Sequence, residues 1–119
     1  AMEQILERLG YEVEYRTRGN EALETFRDQL MKKPFELVIA DMTMPDLSGV
    51  ELASELLRLQ PNLPIVLCTG FSENIDIEKT SNIGIQGFLM KPVDMGELAG
   101  MIQKMLHKEN LPKANEKTL

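Results

Sequence analysis

Three short apolar runs decide what this chain can fold into. Phe35–Ala40 (FELVIA), Pro64–Thr69 (PIVLCT) and Ile85–Met90 (IQGFLM) are rich in strand formers and show little alternation of apolar and polar residues. A strand without alternation is covered on both faces, as in a parallel sheet held between helices. Each run is also punctuated. Pro34 precedes the first, a Met-Pro-Asp-Leu-Ser-Gly loop follows it, and Lys91-Pro92 stops the third.

The segments between the runs carry helical spacing. Met2, Ile5, Leu6 and Leu9 form a stripe closed by Gly10, where a helix C-terminus is expected. Asn20–Met31 puts Ala22, Leu23, Phe26 and Leu30 on one face, and Val50–Leu59 does the same with Val50, Ala53, Leu56 and Leu57 before Pro61. Asn74–Asn82 is a weaker helix, since Ile75 and Ile77 share a face poorly. Asp94 is placed to cap a last helix that turns Leu98, Ile102, Met105 and Leu106 inward. Tyr11–Arg16 (YEVEYR) alternates and predicts a strand near a sheet edge. Strands that alternate with helices imply a parallel sheet with right-handed crossovers, and ligands bind beyond the carboxyl ends of its strands.

The length of 119 residues suits one domain. We place it at residues 1–108, with 109–119 as a polar tail or linker. A net charge of -6 lacks the basic face that nucleic acid requires, so no direct nucleic-acid partner is expected of this segment. No apolar run is long enough to cross a membrane and no signal peptide is visible, so a cytoplasmic site of action is expected. Cys68, the single cysteine, cannot form an internal disulfide and reads as a small buried apolar residue. The eight methionines read as core filler. His107, at the end of the last helix, reads as a partner of solvent and the helix dipole.

The functional signal lies where the runs stop. The first ends on Asp41, the second on Thr69, and the third is followed by Lys91. Alone, Asp41 also fits a loop-capping carboxylate, Thr69 an ordinary strand-end hydroxyl and Lys91 a solvated lysine. At the same rim of one sheet, they bring a carboxylate, a hydroxyl and an ammonium together. Asp46 either reaches toward a metal or supports the Met-Pro-Asp turn.

These residues resemble the receiver domain of two-component response regulators. The matching pieces are DMTMPDLSG after the first run, CTG at the end of the second and GFLMKP at the third, in order and spacing from about residue 1 to about residue 108. The wording is most similar to receivers carried by hybrid sensor histidine kinases. The resemblance implies a flavodoxin-like, doubly wound α/β fold with a five-stranded parallel sheet, (β/α)5. It also implies a first strand and an acidic pair upstream of Ala1, both missing from this sequence.

The same resemblance assigns roles. Asp41 corresponds to the phosphoacceptor, which takes a phosphoryl group from phosphohistidine as an acyl phosphate. Thr69 corresponds to the switch hydroxyl and Lys91 to the lysine that pairs with a phosphoryl oxygen. Mg²⁺ is the implied cofactor, held by Asp41, the backbone carbonyl of Thr43 and the upstream acidic pair. Phe88 stands at the switch aromatic position, where a packed core aromatic is the alternative. Implied partners are a histidine kinase or a histidine phosphotransfer protein, with a homodimer also open. Such a module assists its own phosphorylation and dephosphorylation, and a hybrid-kinase parent would be a transferase.

Two other readings compete. A pseudo-receiver would keep the fold and bind proteins without being phosphorylated. A phosphatase of the haloacid dehalogenase type would need a second Asp two residues after the nucleophile, and that position is Thr43.

Overall fold

The computed structural model describes residues 2–70 and 77–107. Within them the order is α1 (Met2–Arg8), α2 (Gly19–Gln29), β1 (Val38–Asp41), α3 (Gly49–Leu59), β2 (Ile65–Thr69), α4 (Ile77–Ile83), β3 (Gly87–Met90) and α5 (Met95–Leu106). The three strands form a parallel sheet in the order β1-β2-β3. Asp41 lies opposite Cys68, and Thr69 lies opposite Met90.

Both faces of the sheet are covered, as the unbroken apolar runs require. All five residues of β2 are buried. Ile65 and Leu67 join Phe26, Ala40, Leu52, Ala53 and Leu56 in one core cluster. Val66 and Cys68 join Leu6, Leu89, Leu98 and Ile102 in a second. Neighbouring residues of β2 thus serve opposite faces, as a pleated strand dictates.

Local chemistry explains where the helices start and stop. Gly10 adopts a φ of +100° and donates its N–H to Glu7 C=O at 3.0 Å, closing α1. Ser48 begins α3 with a capping box, its hydroxyl accepting from Glu51 N–H while the Glu51 carboxylate accepts from Ser48 N–H. Asp94 caps α5 by accepting from the N–H groups of Gly96 and Glu97.

Three expectations need correction. Tyr11–Arg16 forms no ladder with any described strand. Its alternation is real, for Tyr11 and Val13 pack on the second core cluster while Glu12 and Glu14 face solvent. Alternation reports which side meets the core, but a strand also needs a hydrogen-bonding neighbour, and none of the described strands lies beside it. Leu9, assigned to the buried stripe of α1, is 54% exposed because it falls beyond the last helical turn. Leu52, absent from the expected inward face of α3, is buried in the first cluster. The early part of the expected Asn74–Asn82 helix, Ile75 included, and the tail at 109–119 lie outside the described residues.

Candidate functional site at the carboxyl rim of the sheet

Asp41 is the last residue of β1 and its side chain is half-exposed. Lys91 directly follows β3, two strands away, and its Nζ stands 2.6 Å from Asp41 Oδ1. The same oxygen accepts the Thr43 N–H at 3.2 Å. One carboxylate oxygen therefore meets an ammonium and a backbone amide.

The third group comes from the strand between them. Thr69 ends β2 and is only 5% exposed. Its hydroxyl donates to the Gly70 carbonyl at 3.5 Å, and its own carbonyl accepts the Lys91 N–H at 2.8 Å. That last bond fixes the backbone of Lys91 to the end of β2. The Met42 N–H likewise donates to the Cys68 carbonyl at 2.8 Å, which carries the β1 pairing one residue past Asp41. The three expected side chains thus leave three adjacent strand ends under backbone control.

The loop after Asp41 is held at both of its ends. Gly49 donates its N–H to the Met42 carbonyl at 2.8 Å. A Cβ on Gly49 would press on the Asp41 carbonyl and stand 2.5 Å from Leu67 Cδ1. The glycine that closes DMTMPDLSG is therefore required by close backbone approach. Asp46 does not face the rim: its two carboxylate oxygens accept the N–H groups of Gly19 and Asn20, each at 2.8 Å, and that of Leu47 at 3.0 Å. These amides, Asn20 foremost, hold the Asp46 carboxyl below its ordinary pKa. No sequence signal pointed to Asp46 as a partner of α2, because the two are distant along the chain.

Phe88 is half-buried and packs on the first core cluster. The register puts it opposite Leu67, on the same sheet face as Thr69 and diagonal to it. Cys68 is buried. Desolvation raises its thiol pKa, and the neighbouring Asp41 charge raises it further. His107 stands exposed at the C-cap of α5.

The donors suit a hard cation. Asp41 and the Thr43 carbonyl offer oxygen, which Mg²⁺ prefers. Among the described residues no group of three or more His, Cys, Asp or Glu side chains is gathered to hold a metal ion. The fit is thus one of donor type, in which Asp41 and the Thr43 carbonyl would be the two ligands from the described residues. No helix among the described residues is long and apolar enough to cross a membrane.

The chain is similar to known proteins in sequence and in fold. The family model for the response regulator receiver domain matches residues 1–103. The chain is 34% identical over 104 residues to the response regulator receiver protein CpdR of Brucella abortus, covering 85% of this chain and 81% of that protein. It is 33% identical over 112 residues to the two-component response regulator ARR10 of Arabidopsis thaliana, covering 94% of this chain but only 20% of that longer protein. A CheY-like receiver domain structure from Methanospirillum hungatei superimposes with a TM-score of 0.79 at 29% identity, covering 93% of this chain and 86% of that one. The family model spans most of the sequence and the fold agrees with a solved receiver structure, and the chain belongs to the response regulator receiver domain family of two-component signalling.

Proposed function

We propose that the chain is a phosphoacceptor module in which Asp41 takes a phosphoryl group from a phosphohistidine of a histidine kinase or histidine phosphotransfer protein. The observation that carries this reading is the 2.6 Å contact between Lys91 Nζ and Asp41 Oδ1 across three adjacent strand ends. In the transfer, an Asp41 oxygen bonds to phosphorus as the P–N bond breaks, and the imidazole leaves with the electron pair. Lys91, already at the carboxylate, follows the charge onto a phosphoryl oxygen. On this reading the Thr69 hydroxyl, which donates to the Gly70 carbonyl, would turn to a second phosphoryl oxygen and vacate space on the sheet face it shares with Phe88. Bound Mg²⁺ would neutralise phosphoryl oxygen charge, with Asp41 and the Thr43 carbonyl as its ligands from this chain.

A second reading is the pseudo-receiver, which binds proteins without being phosphorylated. Intact-mass spectrometry after incubation with acetyl phosphate and Mg²⁺ separates the two. A single Mg²⁺-dependent phosphoryl adduct that is lost in Asp41→Asn supports the acceptor. A folded protein that takes no adduct and binds no beryllofluoride supports the pseudo-receiver.

A further inference from the structure

Helix α2 starts without a cap of its own. Arg18 occupies its N-cap position, and the Arg18 side chain makes no capping hydrogen bond. The first helical amides are satisfied from the other side of the candidate site. Asp46 Oδ1 accepts the Gly19 N–H at 2.8 Å, and Asp46 Oδ2 accepts the Asn20 N–H at 2.8 Å. A carboxylate that bonds first-turn amides supplies what a capping side chain normally supplies, with the helix dipole in its favour.

A second contact reinforces the first by a different force. Gly19 is buried against Leu47, so closely that a Cβ there would stand 2.7 Å from Leu47 Cβ. Two consecutive loop residues, Asp46 by hydrogen bonds and Leu47 by packing, therefore clasp the start of α2. Both sit midway along the loop that leaves Asp41 and returns at Gly49. The near half of that loop holds Thr43, whose N–H reaches Asp41 Oδ1.

We propose that Asp46 is a positioning residue for the acceptor site: by capping α2 from the acceptor loop, it fixes the path of the main chain through Thr43 beside the Asp41 carboxylate. This rests on the reading of Asp41 as phosphoacceptor. The Met42–Gly49 hydrogen bond closes the base of the loop and Met44 packs on the first core cluster, while Asp46 ties the loop to α2. The rigid partner that Asp46 gives the loop is a helix packed into the core through Phe26. Release of Asp46 frees the loop centre, and Thr43 is the nearest functional group to feel it. The coupling also runs in reverse, because any shift of the loop on phosphorylation alters the capping of α2.

The test compares the wild-type chain with Asp46→Ala and Asp46→Asn. Hydrogen exchange is read at Gly19, Asn20, Thr43 and Leu47, and phosphorylation by acetyl phosphate is followed across a Mg²⁺ titration. Asp46→Ala is expected to speed exchange at all four amides. It should also raise the half-saturating Mg²⁺ concentration on the order of tenfold, while the rate at saturating Mg²⁺ falls far less. Asp46→Asn, which keeps one accepting oxygen and sets an NH₂ against the other amide, should recover only part of the change. Leu47→Ala loosens the clasp without removing the carboxylate, and it serves if Asp46→Ala does not fold. Faster exchange confined to Gly19 and Asn20, with Thr43 exchange and the Mg²⁺ dependence unmoved, would reduce Asp46 to a helix cap and overturn the proposal. If the wild-type chain accepts no phosphoryl group, the acceptor reading is what fails. Exchange at Thr43 then still decides whether Asp46 holds the loop.

Discussion

Lys91 Nζ rests 2.6 Å from Asp41 Oδ1, though the two residues are joined only through the sheet. The pair is half-exposed, so its contribution to stability is small, at most about 1 kcal/mol. Its value lies in position. Lys91→Ala is expected to leave the urea midpoint nearly unchanged while slowing phosphoryl uptake from acetyl phosphate on the order of a hundredfold, the usual effect of losing one oxyanion donor. Equal uptake rates in mutant and wild type would remove Lys91 from the chemistry.

Gly49→Ala tests the close approach behind Asp41. The added methyl would enter space held by the Asp41 carbonyl and Leu67 Cδ1. Overpacking of this kind costs about 1–3 kcal/mol, and here it also pushes on the strand end that carries Asp41. Denaturant unfolding should show the loss. An alanine variant as stable as wild type would mean that the loop relaxes freely.

Asp46 gives the fold an acid-sensitive contact. Its amide partners favour the ionised form and lower its pKa from the ordinary 3.8. The stabilisation is fully present above that ordinary value and is lost as pH falls through the depressed folded-state value. The stability gap between wild type and Asp46→Asn should therefore be constant near neutral pH and shrink below about pH 4. A gap that is flat down to about pH 2, measured by unfolding at each pH, would contradict the ionised cap.

Cys68 supplies a probe of opening. It is buried in β2, and both desolvation and the Asp41 charge disfavour its thiolate. Labelling by a disulfide reagent should be at least about a hundredfold slower in the folded chain than in urea, because it must wait for the sheet to open. Fast labelling under native conditions would show that β2 is not the closed centre of the sheet.

The sequence made some of this legible and hid the rest for physical reasons. The non-alternating runs foretold strands covered on both faces, and Ile65–Thr69 meets that expectation at every residue. The strand-end positions of Asp41, Thr69 and Lys91 followed from the same runs. Helix stripes were read from apolar spacing, which kept Leu56 but passed over Leu52, and which carried Leu9 past the end of its helix. Tyr11–Arg16 looked like a strand because periodicity carries no information about ladder partners. The bond from Asp46 to Gly19 spans 27 positions, and no local pattern announces a cap supplied from so far away.

The register of the sheet has a last consequence. Side chains alternate between faces, so a slip of one residue in β1 or β2 would send Asp41 or Thr69 to the wrong side. Lys91 would then find no carboxylate within reach, since it is aligned through the Thr69 carbonyl. On the proposed phosphoacceptor reading, assembly of the site acts as an inspection of the fold: a mispaired molecule would lose its competence to be modified and fall silent, instead of sending a false message.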